Sequence, residues 1–316
     1  MNSRVLVLCA LLALPLAAES APGDYYQFLS RDTVGATAFT KANPKWDGRG
    51  VVVAILDTGV DPSVPGLRTT SDGKLKVIET RDFSGQGDVR LKKARLEVVG
   101  GVKVLRTKAG MVKGYDRLPV KPQDGVYWPG FFSERELKNS SVKDVNLNGS
   151  KKDRFAVVAF RSSKGGAPVA VIDTDANGSV AGEIVRRSYK VERKWFRFPN
   201  AQPKRNQTPV AFTLTVLLDE RKVELHFDDG AHGTHCAGIS SGHGIHGRQG
   251  FDGIAPGSQV ISLKIGNNAL AGGATTPGSM RKAIAYASDW ARDHKVPVVI
   301  NLSYGIGSAW EGKADI

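Results

Sequence analysis

An uninterrupted run of six apolar residues lies at positions 51–56, with glycine close by on both sides. The run is rich in valine and isoleucine, a pattern typical of a strand buried on both faces, as in a parallel sheet. Asp57 follows directly, so it is predicted to lie at the carboxyl end of a central strand, where open α/β sheets place their sites. A turn-forming Asp-Thr-Gly without a functional role is the alternative for this residue taken alone.

The last part of the chain alternates strands and helices. Apolar residues at 260–265 and 296–302 predict two further strands, and the segment between them, 277–294, has apolar residues at helical spacing. The predicted buried face of this helix consists of Met280, Ile284, Ala287 and either Trp290 or Ala291. This alternation predicts an α/β fold with a parallel sheet flanked by helices.

A different pattern occupies residues 90–226, where short runs of strand-forming residues are separated by Gly, Pro and Asn. Strands are predicted at 154–161, 167–173, 212–218 and 221–226, the last two forming a hairpin. We interpret this segment as a mainly β subdomain inserted into the α/β domain. The two parts of that domain are then 21–89 and 227–316.

The insertion carries the net charge of the chain, which is +13. Residues 91–226 hold 27 Lys and Arg against 14 Asp and Glu, whereas the whole chain holds 44 against 31, so the excess lies within this segment. A basic surface can bind nucleic acid, anionic lipid or an acidic partner. Because the charges are scattered and no nucleic-acid motif accompanies them, a solvated basic face is favoured and no nucleic-acid partner is expected.

Residues 1–20 have the pattern of a secretory signal peptide: Arg4 near the start, an apolar run at 5–16, and small residues before a cleavage position after Ala18 or Ser20. The run is too short to span a membrane, so we expect a secreted or periplasmic protein without a membrane span in the mature chain. A first buried helix is the alternative.

The stretch Gly230-Ala231-His232-Gly233-Thr234-His235-Cys236-Ala237-Gly238 sets two histidines among very small residues. Small residues indicate that another backbone or a substrate comes close, and histidine is the usual general base near neutral pH. His232 is predicted at a helix start, where a carboxylate such as Asp57 would suit its Nδ1–H. Two structural histidines in a tight turn are the alternative. Cys236 is interpreted as a small buried residue behind the site, with a thiol activated by His232 as its alternative.

Asp57-Thr58-Gly59-Val60-Asp61-Pro62 and the histidine stretch together resemble the aspartate and histidine boxes of the subtilisin-like serine peptidases, family S8. Gly253–Gly257 and Val298–Gly305 resemble two further stretches of that family, in the same order. The position of the insertion, its Asp-Thr-Asp-Ala-Asn-Gly turn and the Asp228-Asp229-Gly230 junction resemble the tripeptidyl-peptidase II branch.

The resemblance implies peptide-bond hydrolysis through an Asp-His-Ser triad, in which Asp57 orients His232 and His232 takes the proton of a serine. Ser303, Tyr304 and Gly305 would bind the substrate backbone, because an extended peptide can add to a strand edge. A peptide or protein substrate and no cofactor are therefore expected.

The sequence departs from the family pattern at two places, and both affect the activity that we expect. The family's Gly-Thr-Ser-Met box does not occur, and Gly278-Ser279-Met280 is interpreted as a helix start, so we expect a fragment without the nucleophile that is inactive by itself. The two glutamates with which the tripeptidyl branch holds a free amino terminus would fall near Ala274 and at Ile306, and neither is acidic. This favours an endopeptidase over a tripeptidyl-peptidase. A non-catalytic secreted protein that binds peptides or polyanions is a further alternative.

Asp173, Asp175 and Asn177 present oxygen atoms at alternating positions before a glycine, as in a calcium loop. The twelfth position of such a loop, which should be a bidentate glutamate, is Ile184, and Glu183 falls one place early. A polar turn is therefore favoured, calcium is a weak alternative, and no other metal site is expected.

Overall fold

The computed structural model describes residues 31–137, 139–204, 207–270 and 275–305. The predicted signal peptide lies outside these residues, as do Ala274 and Ile306. The helices are α1 (Ala36–Ala42), α2 (Tyr189–Glu192), α3 (His232–Ser241) and α4 (Pro277–His294). The strands are β1 (Val52–Asp57), β2 (Val77–Asp82), β3 (Asp88–Arg90), β4 (Arg95–Val99), β5 (Val102–Thr107), β6 (Gly110–Lys113), β7 (Trp128–Ser133), β8 (Arg154–Arg161), β9 (Pro168–Ile172), β10 (Thr213–Leu217), β11 (Lys222–His226), β12 (Gln259–Lys264) and β13 (Val298–Asn301).

In the part of the chain that the structure describes, four strands form one parallel sheet in the order β13-β1-β12-β2. The first apolar run forms β1, and all six residues of this strand are buried. β12 pairs with β1 from Val52 opposite Gln259 to Asp57 opposite Lys264, and Lys264 is in turn paired with Asp82 of β2. Three charged residues therefore lie side by side at the carboxyl edge of the sheet.

Alternate residues of β1 pack on opposite faces of the parallel sheet, as the period of two in a strand requires. Ala54 and Leu56 join the core on the α4 face. Val53 and Ile55 join the core on the other face, where Ala237 of α3 packs. Because helices cover both faces, the strand reads as a continuous apolar run instead of an alternating one.

The helix predicted at 277–294 is α4, with the same bounds. Its buried residues are Ala283, Ala287 and Trp290, whereas Ile284 is 39% exposed, so the predicted buried face was wrong at this position. Small alanines face the sheet because they let the helix axis approach it, and the larger isoleucine is left towards the outside. Among the described residues, none of the helices combines the length and apolarity needed to cross a bilayer.

Within the described ranges, the insertion and its boundary at β3 contain three antiparallel sheets of three strands each: β4-β5-β6, β7-β8-β9 and β10-β11-β3. The four strands predicted there are β8 to β11, and their observed bounds differ from the prediction by one residue at most. β10 and β11 form the predicted hairpin. In the described part of this segment α-helix is limited to the four residues of α2. The α/β class with a mainly β insertion is thus confirmed.

The insertion sits against the edge strand β2 of the parallel sheet. The hydroxyl groups of Thr80 and Thr213 are hydrogen-bonded at 2.6 Å, and the Arg81 guanidinium donates to the Glu224 carboxylate at 2.8 Å. β3, which ends at Arg90, pairs with β11. The division of the chain at residue 90 into separable units stays a prediction.

Candidate active site

Asp57 is the last residue of β1, and its side chain is only 4% exposed. One carboxylate oxygen, Oδ1, accepts the backbone N–H of Thr58 at 2.7 Å. The buried strand thus delivers a carboxylate to the carboxyl edge of the sheet in an orientation fixed by the next residue.

His232 is the first residue of α3, and its side chain is 54% exposed. Its Nδ1–H donates to Oδ1 of Asp57 at 2.7 Å, since a carboxylate can only accept. Ala231, in the left-handed region at φ 64°, makes the turn that leads into the helix. Because Nδ1 is engaged by the aspartate, Nε2 is the ring atom that can take a proton from another group.

The small residues around the histidine are required by close backbone approach, as the sequence pattern predicts. A Cβ atom on Gly233 would lie 2.1 Å from the carbonyl oxygen of Gly59, and one on Gly59 would lie 2.3 Å from that of Phe227. Gly59 also has φ +120°, where a side chain is strained. Glycine at both positions lets the start of α3 pack directly on the turn after Asp57.

A buried lysine stands behind the pair, which the sequence did not single out. Lys264 has no exposed surface, and its Nζ atom donates to the carbonyl oxygen of Thr58 at 2.6 Å. Burial lowers the pKa of Lys264, and four carboxylates oppose that shift: Asp82, Asp229, Asp228 and Asp57. The available signal was a lone lysine inside the apolar strand pattern of residues 260–265.

Two consecutive acids just before the histidine stretch, Asp228 and Asp229, are also buried, at 4% and 1% exposure. The Asp229 carboxylate accepts the Gln86 amide at 2.6 Å, the Ser140 hydroxyl at 2.7 Å and both donors of Ser141 at 3.1 Å. Asp229 therefore ties the insertion to the junction that precedes α3. From the sequence, these two acids were noted only because the Asp228-Asp229-Gly230 junction resembles the tripeptidyl-peptidase II branch.

Cys236 lies one helical turn after His232, with its Sγ atom 3.9 Å from Nδ1 of the histidine. The residue is partly buried, less deeply than predicted, because it faces the site from the exposed start of α3. Burial raises the pKa of the Cys236 thiol, and the nearby charge of Asp57 raises it further, although the Ser303 side chain lowers it. These shifts favour the neutral thiol over a nucleophilic thiolate. The donor atoms of Asp57, His232 and Cys236 lie within 4.8 Å of one another, so the three side chains could also ligate a metal ion.

The candidate substrate-binding residues Ser303, Tyr304 and Gly305 follow β13 and are exposed. β13 is the neighbour of β1 in the sheet, and Val52 to Ile55 of β1 pair with Val298 to Asn301 of β13. The three residues thus lie on the same edge as the aspartate–histidine pair. Their role in binding a peptide stays a prediction.

Ser279 lies in the first turn of α4, as the interpretation of Gly278-Ser279-Met280 as a helix start requires. Its N–H donates to Oγ1 of Thr276, the N-cap residue, at 3.1 Å. Pro277 occupies the first turn as well, where its missing N–H costs nothing. The local structure explains this serine as part of a helix cap.

The candidate calcium loop folds on its own hydrogen bonds. The two oxygens of Asp173 accept the N–H groups of Asn177 at 3.1 Å and Gly178 at 2.9 Å. Glu183 accepts the N–H and hydroxyl of the neighbouring Thr174 residue, and its carboxylate lies within 4.8 Å of those of Asp173 and Asp175. Burial and the neighbouring carboxylate of Asp175 raise the pKa of Asp173 to about 7. These carboxylates could hold a cation, although the hydrogen bonds already account for the turn.

Comparison with known proteins identifies the family that this chain matches and several similar proteins. The model of the subtilase family of peptidases matches residues 48–316. Tripeptidyl-peptidase 2 of Arabidopsis thaliana is 29% identical over 88% of this chain and 23% of its own length. Tripeptidyl-peptidase 2 of Caenorhabditis elegans is 28% identical over 93% of this chain and 24% of its own length. Pyrolysin of Pyrococcus furiosus is 26% identical over 70% of this chain and 18% of its own length.

Among solved structures, the crystal structure of tripeptidyl peptidase 2 superposes with a TM-score of 0.63 at 24% identity, covering 86% of this chain and 25% of that one. This likeness concerns the fold, a subtilisin-like parallel sheet with flanking helices. The chain spans about a quarter of the length of the tripeptidyl-peptidase relatives it matches.

Proposed function

This chain belongs to the subtilase family of serine peptidases, and from that premise we propose that it is a secreted endopeptidase whose Asp57 and His232 are two members of an Asp-His-Ser triad. The observation that carries the proposal is the 2.7 Å hydrogen bond between Nδ1 of His232 and Oδ1 of Asp57. It joins a buried carboxylate at a strand end to a half-exposed imidazole at a helix start.

In the proposed mechanism Asp57 holds His232 in the Nδ1–H tautomer and stabilises the imidazolium that forms as the reaction proceeds. Nε2 takes the proton of the serine nucleophile during attack on the peptide carbonyl and then returns a proton to the leaving amine. The serine is not assigned among the 316 residues, so we expect this polypeptide by itself to show no turnover of casein. No cofactor is needed for these steps.

The substrate would lie along the exposed backbone of Ser303, Tyr304 and Gly305, next to β13. Hydrogen bonds to this backbone would hold an extended peptide without reference to its side chains. Such binding suits an endopeptidase acting on unfolded segments. Secretion is proposed from the signal-peptide pattern of residues 1–20.

The proposal is tested with the product of the longest reading frame that contains these 316 codons, assayed on casein. We expect hydrolysis that falls about 10⁶-fold in His232→Ala, and by about 10⁴-fold in Asp57→Asn. His235→Ala is the matched control, because His235 is exposed on the same helix. No hydrolysis by this product, or full activity in His232→Ala, would contradict the proposal.

A tripeptidyl-peptidase is the second candidate, since four of the similar proteins bear that name. It requires a counter-charge for the substrate's free ammonium group, because an unpaired buried charge is costly. One peptide in free-amine and acetylated forms separates the candidates. Equal cleavage of both supports the endopeptidase, whereas cleavage of the free amine alone supports the exopeptidase.

A further inference from the structure

Asp228 lies where the turn after Asp57 meets the start of α3, and it is bonded to both. Its Oδ1 atom accepts the Thr58 hydroxyl at 2.7 Å. Its Oδ2 atom accepts the N–H of Thr234 at 3.1 Å and also the Thr234 hydroxyl. One short carboxylate thus connects the residue after the aspartate with the third residue of the histidine helix.

Thr58 continues this connection to the acid–base pair itself. Its hydroxyl, which donates to Asp228, accepts the N–H of Gly233 at 3.0 Å. Its backbone N–H donates to the same Asp57 oxygen that receives Nδ1–H of His232. The two residues that follow Asp57 and His232 in the sequence are therefore hydrogen-bonded to each other.

The first turn of α3 obtains its missing hydrogen bonds from this arrangement. The N–H groups of Gly233 and Thr234 have no partner within the helix, and Thr58 and Asp228 supply one each. The Thr234 hydroxyl also accepts the N–H of Asp61, which anchors the helix start to the aspartate loop a second time. Directed bonds of this kind fix both the rotation and the height of the helix start.

We propose that Asp228 is a positioning residue for the Asp57–His232 pair, setting the distance between the carboxylate and Nδ1 through Thr58 and Thr234. Asp228 acts at the junction and does not touch the reacting atoms. Its side chain must be short, because the backbones it joins are already in contact at Gly59 and Gly233. A negative charge suits it, because all three donors point at its two oxygens.

The proposal rests on the acid–base pair proposed above, but its test measures the hydrogen bond and needs no turnover. The readout is the Nδ1–H proton resonance of His232 in the 316-residue chain and its rate of exchange with water. The chain has six histidines, so the resonance is identified by its loss in His232→Ala.

Asp228→Asn keeps the size but replaces one of the two acceptor oxygens with an NH₂ donor, so that at least one of the three hydrogen bonds is lost or reversed. We expect it and Asp228→Ala to speed exchange of the Nδ1–H proton at least about tenfold, or to abolish the signal, once the bond is no longer held. Asp229→Asn is the matched control: Asp229 is adjacent and also buried, but its carboxylate bonds to Gln86 and to Ser140 of the insertion. It should leave the signal within about twofold of the wild type.

A second pair of variants keeps the test decisive if the Asp228 variants do not fold. Thr58→Val removes the hydroxyl at nearly constant volume and should speed exchange, whereas Thr58→Ser should restore the wild-type signal. The proposal is overturned if folded Asp228→Ala or Thr58→Val keeps the wild-type exchange rate. It is equally overturned if Asp229→Asn loses the signal as strongly as Asp228→Asn.

Discussion

The carboxyl edge of the parallel sheet and the core of the insertion bury different kinds of residue. The edge buries five charged residues close together: Asp57, Asp82, Asp228, Asp229 and Lys264. The main core of the insertion instead gathers six phenylalanines: Phe132, Phe155, Phe196, Phe198, Phe212 and Phe227. Burying charge costs free energy unless every charge is paired and hydrogen-bonded, whereas aromatic packing stabilises directly.

This difference shows which interactions fix the positions of buried side chains in the two regions. At the sheet edge each carboxylate has two or more directed donors, as Asp228 and Asp229 show. In the insertion, rings such as Phe155 and Phe198, with centroids 4.4 Å apart, make non-directional contacts. We infer that the edge is more sensitive than the insertion core to the loss of a charge, and that the insertion core tolerates apolar exchange.

The largest effect should come from Lys264→Met, which keeps most of the length of the side chain and removes its charge. Four carboxylates then lose their common cation, and breaking a buried arrangement of this kind costs about 3 to 5 kcal/mol. Denaturant titration at pH 7 measures the loss. An unchanged denaturant midpoint would contradict the claim that the buried carboxylates at the sheet edge depend on the charge of Lys264.

The pH dependence of the same variant has a definite sign. Burial raises the pKa of both Asp82 and Asp228. A carboxyl whose pKa rises on folding costs stability as the pH increases from its unfolded pKa, about 4, through its folded pKa. Lys264 limits that cost, so the defect of Lys264→Met should be greatest at neutral pH and shrink towards pH 4.

A smaller loss is expected at the joint between the two regions, in Arg81→Met. The Arg81–Glu224 pair is nearly buried, and Glu224 retains Lys222 as a partner at 2.9 Å, so the cost should be about 1.5 to 3 kcal/mol. Burial tends to raise the pKa of Glu224, but Arg81 holds it below its ordinary value. That stabilisation is present above pH 4 and disappears as the pH falls through the folded pKa, so wild type and variant should converge in acid. A difference that persists at pH 2 to 3 would contradict this.

Phe155→Leu in the insertion core should cost less, about 1 kcal/mol, because apolar exchange at similar volume allows neighbouring rings to repack. Phe155 has no exposed surface, so the site is a fair counterpart to Lys264. Val98→Ala on the exposed strand β4 is the control and should change the free energy of unfolding by less than about 0.5 kcal/mol. A loss in Phe155→Leu as large as that in Lys264→Met would remove the contrast between the regions.

The smallest effect is expected for calcium. Because the loop around Asp173 is closed by its own hydrogen bonds, millimolar Ca²⁺ should leave the melting temperature of the chain unchanged. The check is a thermal melt with Ca²⁺ and with a chelator. A rise with Ca²⁺ that Asp175→Asn abolishes would show that the loop is a calcium site after all.

Patterns with a clear period or an unbroken apolar run were predicted correctly from the sequence, and mixed patterns were not. The apolar run of β1 and the 18 residues of α4 were predicted because their periods are unambiguous. β2 and β4 to β6 were not assigned because charged residues interrupt them: β2 reads Val-Ile-Glu-Thr-Arg-Asp. β7, which reads Trp-Pro-Gly-Phe-Phe-Ser, was not assigned because Pro and Gly interrupt it. These strands form because neighbouring strands supply hydrogen bonds and bury their side chains, and a local sequence pattern does not contain that information.

By itself, the sequence determined the α/β class, the mainly β insertion, and the placing of Asp57 at a strand end and His232 at a helix start. These features follow from local periodicity and from glycines, which mark the places where two backbone segments approach closely. Only the tertiary structure decided that the two side chains meet at 2.7 Å across 175 positions of chain, and that Lys264, Asp228 and Asp229 surround them. The physical reason is that burial and hydrogen bonding between distant segments depend on how the sheet, α3 and the insertion pack together, and no spacing within one segment encodes that.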